Sequence, residues 1–151
     1  MRGGYSLVEL LIVLGILVLI GTLVFLGFDG FFGTSGLHQA TEGVLSLIEQ
    51  ARGKTISREG GFAYGVHFDS NKATLFRAPT YIDGNVFNTV YDLNPGFHIA
   101  ATTLNGGGTD VIFQIITGET LSDGTVAIEK VGDPSVKKVI KINATGIVEV
   151  E

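Results

Sequence analysis

The sequence predicts an α+β protein in which an N-terminal helical part precedes an antiparallel β-sheet region. Three observations predict this class: an uncharged apolar stretch at residues 10–28, a helical apolar stripe within residues 37–58, and short runs of β-branched and aromatic residues, separated by turn residues, beyond Gly60-Gly61. A chain of 151 residues can hold one folded domain in addition to the apolar stretch.

The apolar stretch has the length of a membrane-spanning helix. Residues 10–28 contain no charged side chain, and as a helix they would extend ~28 Å, the thickness of a bilayer's hydrocarbon core. A secretory signal peptide would place small residues after its apolar core, whereas Gly3 and Gly4 precede this one. Glu9 lies at the start of the stretch, where an unpaired carboxylate costs at least ~2.5 kcal/mol in hydrocarbon.

These residues resemble the N-terminal signature of type IV pilins and type II secretion pseudopilins. Gly4 is followed by Tyr5, Ser6-Leu7-Val8, Glu9 and the apolar helix, at the spacing of that family. The resemblance implies that a prepilin peptidase cuts after Gly4, that the new first residue, Tyr5, is methylated, and that Glu9 serves in subunit assembly. The usual first residue is phenylalanine, and many pilins carry a proline in this helix that is absent here. The alternative is an ordinary signal anchor with a chance glutamate.

A glycine-rich segment separates the apolar stretch from a second helical pattern. Gly27, Gly30, Gly33 and Gly36 recur at every third position, and each costs a helix about 1 kcal/mol relative to alanine, so we expect a flexible joint at residues 29–36. Residues 37–58 then form an amphipathic pattern, which predicts a helix packed on the β-rich region. Its stripe comprises Leu37, Ala40, Val44, Leu47, Ile48, Ala51 and Thr55.

The sequence pattern of the remaining residues, 61–151, is typical of an antiparallel sheet. Strands are predicted at 62–68, 73–77, 86–93, 111–116, 125–131, 136–143 and 147–150. Turns are predicted where Asn, Asp, Pro and Gly cluster, including 69–71, 94–96, 133–134 and 144–146.

The segments 49–58 and 142–148 resemble the helix end and closing hairpin of GspH/FimT-like minor pseudopilins and minor pilins. The two resemblances imply a pilin-like fold in which one long N-terminal helix has a membrane half and an amphipathic half packed on an antiparallel sheet. The predicted organisation is a leader peptide at 1–4, a transmembrane helix at 5–28, the joint at 29–36, and a soluble domain at 37–151. The middle of the chain, residues 79–108, shows no such resemblance and is unmatched.

No catalytic or cofactor-binding pattern is present in the sequence. There is no cysteine, phosphate-binding glycine motif, nucleophile elbow or pair of catalytic carboxylates. His38 and Glu42 could share a metal ion at helical spacing, but two ligands do not make a site. We therefore expect no enzyme, no cofactor and no metal site.

The function that the resemblance implies is that of a structural subunit, a minor component of a type II secretion pseudopilus or type IV pilus-like filament. Its implied partners are other pilin or pseudopilin subunits, the prepilin peptidase and the assembly platform of the bacterial inner membrane, with the soluble domain outside the cytoplasm. The alternative is a DNA-binding minor pilin of an uptake machine. It rests on two basic clusters, Arg52, Lys54 and Arg58, and Lys130, Lys137, Lys138 and Lys141. A net charge of −5 argues against a nucleic-acid partner.

Overall fold

The computed structural model describes residues 6–151, apart from the side chains of residues 23–34. Gly4 and Tyr5, the predicted cleavage and methylation residues, lie outside the described residues. The chain divides after Thr34 into two units, each of which is described by itself.

A single helix precedes the strands. Helix α1 spans Leu7–Ile56 and is followed by a 3₁₀ turn, Glu59–Gly61. The helix includes the positions of the predicted joint, whose flexibility stays a prediction. It ends at Ile56 rather than at residue 58, because Arg58 takes a left-handed conformation with φ of 53°.

No helix among the residues with described side chains is long and apolar enough to cross a membrane. The transmembrane helix predicted at residues 5–28 is thus not confirmed.

The second unit contains two antiparallel sheets, where the sequence indicated only a β-sheet domain. Its strands are β1 (Tyr64–Phe68), β2 (Lys72–Arg77), β3 (Thr89–Asp92), β4 (Phe97–Leu104), β5 (Asp110–Ile112), β6 (Gly124–Lys130), β7 (Asp133–Ile142) and β8 (Val148–Val150). Sheet 1 has the order β3-β2-β1-β5, and sheet 2 has the order β4-β6-β7-β8. The chain crosses between the sheets before β4, before β5 and before β6, so neither sheet can form from one continuous segment.

Each predicted strand is present with shifted ends, but β4 was missed. Its apolar alternation, Phe97 and Ile99, is interrupted by a register shift between Ile99 and Ala101, which removes the period-two signal. The turn predicted at 133–134 was also wrong. Lys130 pairs with Asp133, so the turn is formed by residues 131–132, where Gly132 has a φ of 81° and Asp133 already begins β7.

The hydrophobic core joins the C-terminal half of α1 to both sheets. All seven residues of the predicted stripe are buried, which confirms the amphipathic face. The six apolar residues of the stripe share one cluster with Val66 and Leu75 of sheet 1 and Ile128 and Ile140 of sheet 2. Thr55, the polar member of the stripe, accepts a hydrogen bond from the backbone N–H of Tyr64 at 2.9 Å and ties the helix to β1.

Two glycines of α1 make room for aromatic side chains. A Cβ atom at Gly36 would lie 2.5 Å from the ring of Phe97, and one at Gly43 would lie 2.0 Å from the ring of Tyr91. The hydroxyl of Tyr91 donates to the carbonyl of Gln39 at 3.1 Å. Gly36 was assigned to the joint from the sequence, and the structure gives it a packing role.

Substitution of Gly43 and of Gly53 by alanine should change the free energy of unfolding in opposite directions. Gly53→Ala should raise the free energy of unfolding by about 1 kcal/mol, because nothing lies within 4 Å of its Cβ position and alanine favours the helix. Gly43→Ala should lower it by about 1 kcal/mol, because the ring of Tyr91 must leave its place and lose its hydrogen bond. Chemical denaturation of the two variants would measure both changes. A higher free energy of unfolding in Gly43→Ala than in the wild type would contradict the packing role of Gly43.

Candidate assembly surface

The first turns of α1 carry an apolar surface in which Glu9 is the one charged residue; we call residues 7–20 the apolar segment. Every large apolar side chain in it is at least half exposed, from 50% at Val13 and Leu14 to 77% at Leu7. Helices that are apolar on all sides are normally buried in a protein interior or a membrane. The apolar segment therefore requires a covering that a single chain in water does not provide.

Glu9 is the only charged residue of the apolar segment. It lies in the first turn of α1, where a carboxylate interacts favourably with the positive end of the helix dipole. Its side chain is exposed, and it makes no ion pair with another described residue. The pairing of Glu9 with Tyr5 of a neighbouring subunit stays a prediction.

The two segments that resemble minor pseudopilins meet at Arg52. The Nε atom of Arg52 donates to the carbonyl of Gly118 at 3.2 Å, and Nη2 donates to the carbonyl of Thr145 at 3.5 Å. A cleft of about 210 Å³ lies beside it, lined by Glu49, Arg52, Gly146, Ile147 and Val148. From the sequence, Arg52 was assigned to a basic cluster. These two hydrogen bonds were not predicted, because their acceptors lie 66 and 93 residues further along the chain.

The lysines of the second basic cluster do not form an uninterrupted cationic row. Lys137 lies opposite Glu129 on β6, and Lys141 lies opposite Glu149 on β8. Lys138 reaches His38 of α1, with 3.4 Å between its Nζ and the ring Nδ1. Cross-strand pairs of opposite charge stabilise a sheet. The arrangement therefore adds no support to the DNA-binding alternative.

The histidines lie apart from one another. His38 and Glu42 are 3.8 Å apart on α1, and His98 lies on β4. His67 on β1 has Nδ1 at 2.5 Å from Asp110 and Nε2 at 3.3 Å from Asp69. Both ring nitrogens of His67 thus face carboxylates. Among the described residues, no group of three His, Cys, Asp or Glu side chains is arranged so that it could hold a metal ion.

Within the unmatched middle of the chain, the loop at 78–88 packs on sheet 1 through Tyr81. The ring of Tyr81 stacks on His67 with 3.8 Å between centroids, and it contacts the buried Phe76 edge-on. The Tyr81 hydroxyl donates to Asp83 at 2.8 Å, and Lys72 donates to the same carboxylate at 3.2 Å. These two hydrogen bonds lower the pKa of Asp83, and the bond to Asp83 raises the pKa of Lys72. Loop 78–88 is thus fastened to β1 and β2.

Comparison with solved structures identifies this architecture. The chain is similar to the type IV minor pilin FimU of Pseudomonas aeruginosa in two crystal forms. The TM-scores are 0.61 and 0.58 at 16% identity, over 80% and 76% of this chain and 92% of each FimU chain. It is also similar to EpsH, the minor pseudopilin of the type II secretion system of Vibrio cholerae, with a TM-score of 0.51 and 15% identity over 78% of this chain and 94% of that one.

No protein-family model matches the chain, and no curated protein matches it in sequence. At these identities the likeness establishes the fold. It confirms the predicted pilin-like α+β fold with antiparallel strands, whereas the membrane half of the helix stays a prediction. The chain therefore has the fold of the minor pilins and minor pseudopilins.

Proposed function

We propose that this chain is a structural subunit, a minor component, of a type IV pilus-like filament or a type II secretion pseudopilus. The observation that carries the proposal is the exposed apolar segment at the start of α1 in a chain with the pilin fold. The proposal includes no catalysis: the chain acts by joining other pilin-like subunits.

The apolar segment would have two coverings in succession. Before assembly, the hydrocarbon of the inner membrane would surround it, with the second unit outside the cytoplasm. After assembly, the helices of neighbouring subunits would replace the lipid, and packing between side chains would hold the filament together. Both coverings remove the same apolar surface from water, so the segment suits a subunit that moves from one to the other.

Glu9 would direct this transfer. Cleavage after Gly4 by the prepilin peptidase creates a positive amino group at Tyr5, which a neighbouring subunit's Glu9 can pair with. In a low-dielectric environment such a pair can offset its own desolvation, whereas removal of one partner costs about 3 to 5 kcal/mol. Cleavage would therefore supply a partner for Glu9.

Removal of the Glu9 carboxylate should block assembly and leave maturation intact. In Glu9→Ala and Glu9→Gln variants expressed in the native host, we expect normal membrane insertion and cleavage, and a strong reduction in crosslinks to other pilin-like subunits. Glu49→Ala is the matched control, because Glu49 is an exposed glutamate of the same helix, outside the apolar segment. Crosslinking of Glu9→Ala at the level of wild type, with normal activity of the secretion or pilus machine, would disprove the pairing.

A further inference from the structure

The end of β2 and the loop that follows it form a surface that the core and the apolar segment do not use. Arg77 is the last residue of β2, and its guanidinium carbon lies 3.7 Å from the ring centroid of Phe87 and 4.8 Å from that of Phe62. β2 lies between β1 and β3, so one ring reaches Arg77 from the segment that leads into β1 and the other from the segment that leads into β3. Cation–π contacts of this kind hold a guanidinium in one position.

The side chain of Arg77 has N–H donors that no described residue accepts. Within the described part of the chain, its half-buried side chain makes no ion pair and no hydrogen bond, and its cation–π contacts there are with the two aromatic rings. A guanidinium carries five N–H donors in its own plane, and a ring stacked on its face does not use them. The guanidinium edge matches two oxygens of a carboxylate or a phosphate.

The loop beside Arg77 is held in place although it exposes apolar side chains. The backbone N–H of Phe87 donates to Asn85 Oδ1 at 3.0 Å, and Asn88 Nδ2 donates to the carbonyl of Ile82 at 2.8 Å. With Tyr81 stacked on His67, these bonds fix both ends of the loop. Nevertheless Val86 is 88% exposed and Phe87 is 54% exposed. The loop thus presents two apolar side chains beside Arg77, at positions held by its own hydrogen bonds.

We propose that Phe62, Arg77, Val86 and Phe87, which we call the Arg77 surface, bind a partner protein through an acidic residue flanked by apolar residues. The carboxylate meets the guanidinium edge, and the flanking side chains cover Val86 and Phe87. A carboxylate is favoured over a phosphate backbone because the chain carries a net charge of −5, which repels a polyanion. The proposal goes beyond filament membership and does not depend on it.

The test uses the full chain in lipid nanodiscs and a fluorescent, end-capped peptide, Leu-Glu-Leu-Glu-Leu, with binding to empty nanodiscs subtracted. We expect saturable binding at millimolar peptide or below. The neutral peptide Leu-Gln-Leu-Gln-Leu should bind the wild type about tenfold more weakly, and Arg77→Gln should bind the acidic peptide about tenfold more weakly, because each change removes the same charge-assisted contact.

Two further variants separate docking from folding and from general charge. Val86→Asn changes a side chain that is almost fully exposed, so it should weaken peptide binding several-fold while circular dichroism and thermal melting stay those of wild type. Arg58→Gln is the matched control, because Arg58 is exposed and, among the described residues, makes no cation–π contact with Phe62 or Phe87; its binding should be unchanged.

Four results would overturn the proposal. They are absence of saturable binding of the acidic peptide, equal binding by Arg77→Gln and wild type, equal weakening by Arg58→Gln and Arg77→Gln, and wild-type binding by Val86→Asn. A decathymidylate oligonucleotide that bound more tightly than the peptide, and lost its affinity in Arg77→Gln, would replace the protein partner with single-stranded nucleic acid.

Discussion

Gly4→Val is expected to leave the chain uncut in its native host while membrane insertion continues. A peptidase that cuts after glycine needs a pocket at that position with almost no room for a side chain, so a β-branched residue should abolish cleavage. Intact-mass spectrometry of the purified chain gives the result: the wild type should begin at a methylated Tyr5, and the variant should keep Met1 to Gly4. This is the largest expected effect, since product should be absent rather than reduced.

Gly3→Val provides the control for this experiment. It introduces the same side chain one position earlier, and because the resemblance assigns the cut to Gly4, cleavage should proceed. A wild-type chain that began at any residue other than Tyr5 would remove the main support for filament assembly. The Glu9 experiment would then lose its basis, because the amino group that Glu9 is expected to meet would not exist. The binding test of the Arg77 surface would remain valid.

Gly146→Ala is expected to cause the largest loss of stability, about 3 kcal/mol. Gly146 has a φ of 75°, and a Cβ atom there would lie 1.9 Å from the carbonyl oxygen of Gly118 and 2.9 Å from Arg52 Nε. The left-handed conformation alone costs a residue with a side chain about 1–2 kcal/mol, and the clash with backbone adds overpacking strain of about 1–3 kcal/mol. The melting temperature should fall by about 10 °C in a chain of this length.

Gly84→Ala separates the two contributions. Gly84 has a φ of 70°, similar to that of Gly146, but nothing lies within 4 Å of its Cβ position. The loss of stability in Gly84→Ala should therefore be limited to the conformational cost of about 1–2 kcal/mol. Equal melting temperatures for the two variants would show that the contact between Gly146 and Gly118 is not tight.

The helical half of the molecule could be predicted closely because its signals are local. A period of 3.6 residues places Val44, Ile48 and Ala51 on one face regardless of what covers them, and all three are buried. The turns at 69–71, 94–96 and 144–146 were predicted correctly for the same reason, since Asn, Pro and Gly act on their own backbone. The turn at 133–134 was misplaced because Gly132, not Pro134, adopts the required positive φ.

Contacts between distant residues could not be predicted in this way. Arg52, grouped with Lys54 and Arg58 as a possible phosphate-binding cluster, is held by carbonyls of two remote turns. Arg77, Phe62 and Phe87 received no role from the sequence, although a basic residue with two aromatic residues 15 or fewer positions away was a usable signal. Whether they touch depends on which strands are neighbours in sheet 1.

The sequence by itself determined the length and apolar character of the N-terminal segment, the position of Glu9, the buried face of α1 and the existence of seven of the strands. These properties follow from composition and period along the chain. Only the tertiary structure decided that the strands divide between two sheets, that β4 belongs to the second, and that Arg52 and Arg77 occupy different environments. Strand order is set by which apolar faces can share one core with α1, and a carbonyl or an aromatic ring reaches an arginine only after that core has formed.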